Sequence, residues 1–345
     1  MMSVQDRPLW QQFLEDIVPK NWSLEQKIAR ARACQIEMPV RAILGQIHPE
    51  REMEYAARNA LYWMTMDRVI PAFDKIHFLV LKGPALAIRI FGSECYRQSA
   101  DIDLWMDKSD LKRAEGILKD LGYTPQKVVR RWATNQILYI SNNPLMLPIE
   151  LHWALTQPPL HAPKFKDAWK RRVLFAYNQI QFYTLDDTDT WMGLIFHAIQ
   201  HVYALKPWLD LAAASSVLHL DESRIHQFGV YDLHTCINNV IRSEDVVLNG
   251  DMPGEHTHRI KDQYHIIIRW ILKRVFISNE VGKLIINKDS SYRTAFTFLS
   301  RTASMLLLDG YIYPLKSMAF YIPLSIDIIC RKLLTRCGIL HISAH

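Results

Sequence analysis

Cysteine is scarce and scattered: five residues in 345, at Cys34, Cys95, Cys236, Cys330 and Cys337. An odd number at irregular spacing supports neither a disulfide framework nor a zinc cluster, and it fits a reducing compartment. Long apolar runs are missing as well. The nearest candidate, from Ala319 to Ile329, is interrupted by Pro323 and Asp327 and falls short of the ~20 residues a membrane span requires. The opening residues MMSVQDRPLWQQF lack the basic-then-apolar layout of a signal peptide. Together these absences predict a cytoplasmic protein with no membrane span. There is no internal repeat and no low-complexity tract. Nor is there a concentrated stripe of Lys and Arg interleaved with stacking aromatics, the usual footprint of a nucleic-acid surface.

What is present is ordinary for a folded chain, with 49% hydrophobic and 22% charged residues. Lys and Arg number 41 against 35 Asp and Glu, a net charge of +6. That balance suits an anionic partner such as a nucleotide, a nucleic acid or a phosphorylated molecule, and it equally suits a surface that is merely soluble. A chain of this length predicts two domains, or one with helical additions.

The most informative stretch is Phe78 to Trp105, FLVLKGPALAIRIFGSECYRQSADIDLW. Its apolar start, Phe78 to Leu81, has the length and sharp bounds of a buried strand. A Lys82-Gly83-Pro84 break leads into a helical pattern (Ala85, Leu86, Ile88, Ile90), then a polar loop with Arg97 and Ser99. The segment closes on Asp101-Ile102-Asp103-Leu104-Trp105. Extended backbone has a period of two, so Asp101 and Asp103 share one face while Ile102 and Leu104 take the other. Adjacent carboxylates repel, and a divalent cation offsets that cost; Mg²⁺ is commonly held by one or two carboxylates together with substrate phosphates. Such acid pairs also occur in solvated turns.

Elsewhere helices frame a small sheet. Residues 1 to about 75 read as helical, with Ser23 as a cap for a helix from Leu24 to Ile36 and a second pattern from about Glu52 to Phe73. Ser109 is expected to cap a helix from Asp110 to Leu121, stopped by Gly122. Strands are predicted at Lys127 to Arg130, Gln136 to Ile140, Leu147 to Trp153 and Gln179 to Tyr183, with Pro158 to Arg172 as a connection. Parity in the third of these puts Ile149, Leu151 and Trp153 on the core side and Glu150 and His152 on the opposite, open face. A third carboxylate there would complete a metal site; a surface glutamate is the plain alternative. From Asp189 onward the pattern is helical: Thr190 to Ala204, Leu211 to Leu220, and further stretches at about 232–241, 256–275, 292–308 and 323–334.

His197 and His201 lie four residues apart on one helical face. The glutamate of a zinc-protease motif is absent, since Ala198 occupies its place, and both rings are as readily explained by hydrogen bonds at an interface.

The run Lys82-Gly83-Pro84-Ala85-Leu86 followed by Arg97-x-Ser99-x-Asp101-Ile102-Asp103-Leu104 resembles the nucleotidyltransferase superfamily related to DNA polymerase β. It is similar in particular to the bacterial uncharacterised nucleotidyltransferases, and more distantly to toxin nucleotidyltransferases. The resemblance spans about Phe78 to Ala213. It implies an α+β fold: a polymerase-β-like domain with a small mixed sheet at 76–185, an N-terminal helical region at 1–75, and a C-terminal helical domain at 186–345 closing the active-site cleft. It also implies transfer of a nucleoside monophosphate from an NTP to an acceptor, with release of pyrophosphate. Asp101, Asp103 and Glu150 would be the catalytic and metal-holding acids, with two Mg²⁺ ions. Lys82, Gly83, Arg97, Ser99, His197, His201, Lys206 and Asp210 would line the nucleotide side; Arg97 is alternatively a structural brace. One departure stands out: Pro84 replaces the family's usual Ser or Thr, removing a hydroxyl that would touch phosphate. A catalytically degenerate nucleotide-binding protein and a toxin-like enzyme acting on tRNA are the competing expectations. A small-molecule or peptide acceptor is preferred over tRNA.

Overall fold

The computed structural model describes residues 10, 11, 14, 15, 18, 20–126, 134–156, 163–200 and 205–227. The expected strand at Lys127 to Arg130 and the helical patterns beyond residue 227 lie outside these residues, as does His201.

Apolar runs that avoid Gly and Pro form the centre of a seven-stranded mixed sheet. In chain order the strands are β1 (Phe78–Val80), β2 (Ile102–Met106), β3 (Tyr123–Pro125), β4 (Gln136–Ser141), β5 (Ile149–His152), β6 (Val173–Tyr177) and β7 (Ile180–Thr184), ordered in space β3-β4-β5-β2-β1-β7-β6. Strand β2 is buried along its whole length. It runs antiparallel to β1 and parallel to β5, in a register that sets Asp103 beside Glu150 and Trp105 beside His152. This is the α+β architecture expected; β7 falls on the strand expected at Gln179 to Tyr183, and β3 and β6 are strands the sequence reading did not include. A short helix, Phe165–Lys170, falls where the sequence reads as connection: the Pro and Lys content of that stretch masks the apolar positions Phe165 and Ala168, which are buried.

The helices are α1 (Leu24–Ala33), α2 (Glu37–Ile43), α3 (Pro49–Ala72), α4 (Pro84–Phe91), α5 (Leu111–Asp120), α6 (Phe165–Lys170), α7 (Asp187–Gln200), α8 (Leu205–Val217) and α9 (Glu222–Gln227). Ser23 caps α1 as expected, in a reciprocal box: its Oγ accepts from the Gln26 N–H at 3.2 Å, and Gln26 Oε1 accepts from the Ser23 N–H at 2.9 Å. Ser109 does not cap α5. Asp110 is the capping residue, without a side-chain bond, while Ser109 turns back to bond Asp107. Among the described residues no helix is long and apolar enough to cross a membrane.

Each face of the sheet has its own cover. Ile102, Leu104, Ile149 and Leu151 pack against Tyr62, Met66 and Val69 of α3 and Ala114 and Leu118 of α5. On the other face Leu79, Leu81 and Trp105 meet Phe165 and Ala168 of α6. A third core is entirely helical: Ala31, Ile36 and Val40 from the N-terminal region pack with Leu86 and Ile90 of α4 and with α7 and α8. Burying an aliphatic side chain contributes roughly 1.5–3 kcal/mol, so this shared core binds the early and late helices strongly to the helix that follows Gly83.

Candidate metal and nucleotide site

The site grows from the strand pair β2–β5. Parallel pairing with period-two alternation turns Asp103, Glu150 and His152 to one face, opposite the aliphatic side chains that fill the core. Asp103 and His152 are each about 5% exposed, and Glu150 is half-buried. His152 Nε2 lies 2.9 Å from Asp103 Oδ1 and 3.4 Å from Glu150 Oε2. Single donor atoms from these three residues all fall within 4.8 Å of one another. Gln136, on the neighbouring β4, donates from Nε2 to Glu150 Oε2 at 2.8 Å and fixes that carboxylate's orientation. Lys82 Nζ stands 3.3 Å from Asp103 Oδ1.

Asp101 precedes β2 and is partly buried. Burial, then the charges of Asp103 and Glu150, push its carboxyl up to about 6 from an ordinary 3.8, against the pull of Lys82 and Lys206. Asp103 goes the other way. Burial alone would raise it, but Lys82, the His152 hydrogen bond and the nearby His197 together hold it far below the usual carboxylate range. His152 is raised: its burial opposes protonation, and the two carboxylates at Nε2 outweigh that. Burial of the cluster thus shows most on Asp101, the acid that the pairing of Lys82 and His152 with Asp103 leaves least compensated. Two hard oxygen donors and one imidazole nitrogen at these separations fit a divalent cation.

Gly83 follows Lys82, the partner of Asp103, and is buried. It caps α4 with φ +86°, and a Cβ added to it would come within 2.5 Å of Tyr62 Oη. Only glycine tolerates both the left-handed backbone and that contact. Pro84 takes the first helical position of α4, where the missing N–H costs nothing and the fixed φ suits the helix. Its place in the chain is thus set by the helix start.

The remaining sequence-predicted residues divide. Arg97 is buried with Asp210, its Nε 2.9 Å from the Asp210 Oδ2, and its Nη1 donates to Ser99 Oγ at 3.1 Å. This has the form of the brace, joining the loop before Asp101 to α8. Lys206 donates from Nζ to the Gln98 carbonyl. Burial, then the neighbouring Arg97, lowers its ammonium to about 8. His197 is half-buried on α7, on the side whose charge reaches Asp103. Sequence reasoning gives His152 no role beyond sharing Glu150's face, which is buried at His152 rather than open, and it gives Gln136 and Tyr62 none. For Gln136 the signal is strand pairing, since it falls opposite His152 once β4 and β5 are aligned. Tyr62 gave none, because it reads as one aromatic among many in α3.

Neither the curated proteins nor the solved structures yield a match to this chain. The match that does exist spans the helical core, the sheet and the acid cluster alike: over residues 27–227 the chain belongs to the uncharacterised nucleotidyltransferase family.

Proposed function

We propose that the protein transfers a nucleoside monophosphate from an NTP to an acceptor nucleophile and releases pyrophosphate. Asp101, Asp103 and Glu150 are the acids that hold the divalent metal, Mg²⁺ in the simplest case. The observation carrying this reading is the pairing of Asp103 with Glu150 on adjacent strands, near a third carboxylate, Asp101, which feels the charge of both.

When bound, such an ion neutralises triphosphate charge and lowers the pKa of an attacking hydroxyl. The chain's own residues supply the rest. Lys82 keeps Asp103 ionised, and Gln136 aims Glu150, which also stands ready to accept a proton from the acceptor. The first turn of α4 offers backbone N–H groups to phosphate, and Gly83 permits close approach. Lys206 and His197 face the nucleotide from the helical side, with His201 assigned there by the family resemblance alone, while Arg97, Ser99 and Asp210 hold the Asp101 loop in place. In this scheme residues 76–185 form the catalytic unit, 1–75 support it, and 186–345 close the cleft. The acceptor is a small molecule or peptide rather than tRNA, in keeping with the absence of a basic, aromatic-lined stripe.

Incubating the protein with radiolabelled NTPs, Mg²⁺ and cell extract tests this directly. Label in an acceptor with stoichiometric pyrophosphate is the expected result. Calorimetric NTP binding with no pyrophosphate from any extract would replace the enzyme with a nucleotide sensor.

A further inference from the structure

We propose that His152 is a metal ligand through Nε2, so that the centre takes a first-row transition ion, Mn²⁺ being representative, ahead of Mg²⁺. This rests on the metal-dependent reading above and narrows it to a particular donor set.

The argument is geometric. Adjacent donors around an octahedral ion at 2.1–2.2 Å stand about 3.0 Å apart, the bond length multiplied by the square root of two. His152 Nε2 is 2.9 Å from Asp103 Oδ1 and 3.4 Å from Glu150 Oε2. Two edges of a ligand triangle therefore already have nearly the right length, with the imidazole at their shared corner. In the metal-free protein a protonated imidazole hydrogen-bonds both carboxylates at this spacing, and an ion replacing that proton finds the same three donors around it. Here β5 fixes the backbone, and Gln136 steadies Glu150. Nδ1 has no hydrogen-bond partner whichever role Nε2 plays, so the ring's inner nitrogen does not separate ligand from bystander. Lys82, with a side chain one-fifth exposed, is free to turn from Asp103 toward a phosphate when an ion arrives.

Donor chemistry then sets the choice of ion. Mg²⁺ favours oxygen and retains its waters, whereas imidazole nitrogen is accepted readily by first-row transition ions. Adding one imidazole to the carboxylates shifts preference toward the latter.

The test uses the full-length protein loaded with Mn²⁺ and read by electron paramagnetic resonance. Bound Mn²⁺ should show spin-echo modulation from a directly coordinated ¹⁴N, converting to the ¹⁵N pattern when histidine alone is ¹⁵N-labelled. The modulation should vanish in His152→Gln and persist in His197→Asn. The preference for Mn²⁺ over Mg²⁺ in competition should also fall about tenfold in His152→Gln. If that variant does not fold, the isotope experiment on the wild-type protein decides alone. Bound Mn²⁺ without nitrogen modulation would overturn the ligand assignment and leave metal-dependent transfer standing. Modulation surviving in His152→Gln and lost in His197→Asn would overturn it equally. Failure of Mn²⁺ to bind at all would overturn both.

Discussion

Two buried acidic groups in this protein are built on opposite plans. Glu37, at the start of α2, is about 3% exposed and bonded by two guanidinium groups: Arg32 Nε at 2.8 Å and Arg41 Nε at 2.9 Å. The Arg32 hydrogen bond, against the opposing effect of burial, pulls its carboxyl down to about 2. On the sheet, three carboxylates lie among Lys82, Lys206 and one imidazole, and burial pushes Asp101 up to about 6. The first arrangement satisfies its acid and stabilises the helical core. The second holds its acids with ammonium and imidazole groups and leaves Asp101 raised, an arrangement that fits a divalent cation. Counting carboxylates does not separate the two; counting the guanidinium groups committed to them does.

The comparison is broken most forcefully at Asp103. Asp103→Asn should lower pyrophosphate release by at least ~1,000-fold, as expected when charge-stabilising machinery is lost. Asp103 is also the counterion of Lys82 and His152, so the variant should melt several degrees lower in the absence of metal. Activity near the wild-type level in a folded Asp103→Asn protein would remove the sheet cluster from catalysis. Glu150→Ala should follow with a rate loss of ~100-fold and a smaller loss of NTP affinity, measured as kcat against Kd. An unchanged kcat would take Glu150 out of the reaction.

At the balanced site, Glu37→Gln should destabilise the protein by about 2–3 kcal/mol, because Arg41 is left buried without its carboxylate. Activity per folded molecule should not change. Denaturant titration checks the first statement and a folded-fraction assay the second.

The smallest effect has the most diagnostic sign. Since Asp101 is raised above its unfolded value, its stabilising protonation is complete below about pH 4 and lost as pH rises through about 6. Glu37 runs the other way: its contribution is complete above about 4.5 and disappears as pH falls toward 2. Asp101→Asn should therefore stabilise the metal-free protein at pH 7 by about 1–2 kcal/mol and flatten the stability profile between pH 4 and 6. A variant less stable than wild type at pH 7 would show that Asp101 is satisfied in its ionised form. Divalent metal should abolish the wild-type slope, because it replaces the proton.

How much of this was legible in advance follows from the range of each interaction. Asp101, Asp103 and Glu150 could be placed on one face because alternation along a strand is local, and Gly83 could be found because a break between strand and helix needs one. Ser23 was legible for the same reason, whereas Asp107 competed successfully for Ser109. The brace from Arg97 to Asp210 was open to either role until the distance across 113 positions was seen. The burial of His152 was hidden as well: parity gives the side a residue faces, and the cover over that side is contributed by other parts of the chain. Nor could spacing show that α1, α2, α7 and α8 share a core, since each helix displays a similar apolar stripe and pairing among stripes is a property of the whole fold.

The buried pair of Arg97 and Asp210 has a consequence for how the protein can be divided. A fragment ending before α8 would strand a guanidinium inside apolar surroundings and release the tether on the segment that carries Asp101. The sheet with its acids is therefore not a portable module. Shortened versions should lose the geometry of the acid cluster along with the helices, and the unit that can evolve, be transplanted or be expressed alone includes both.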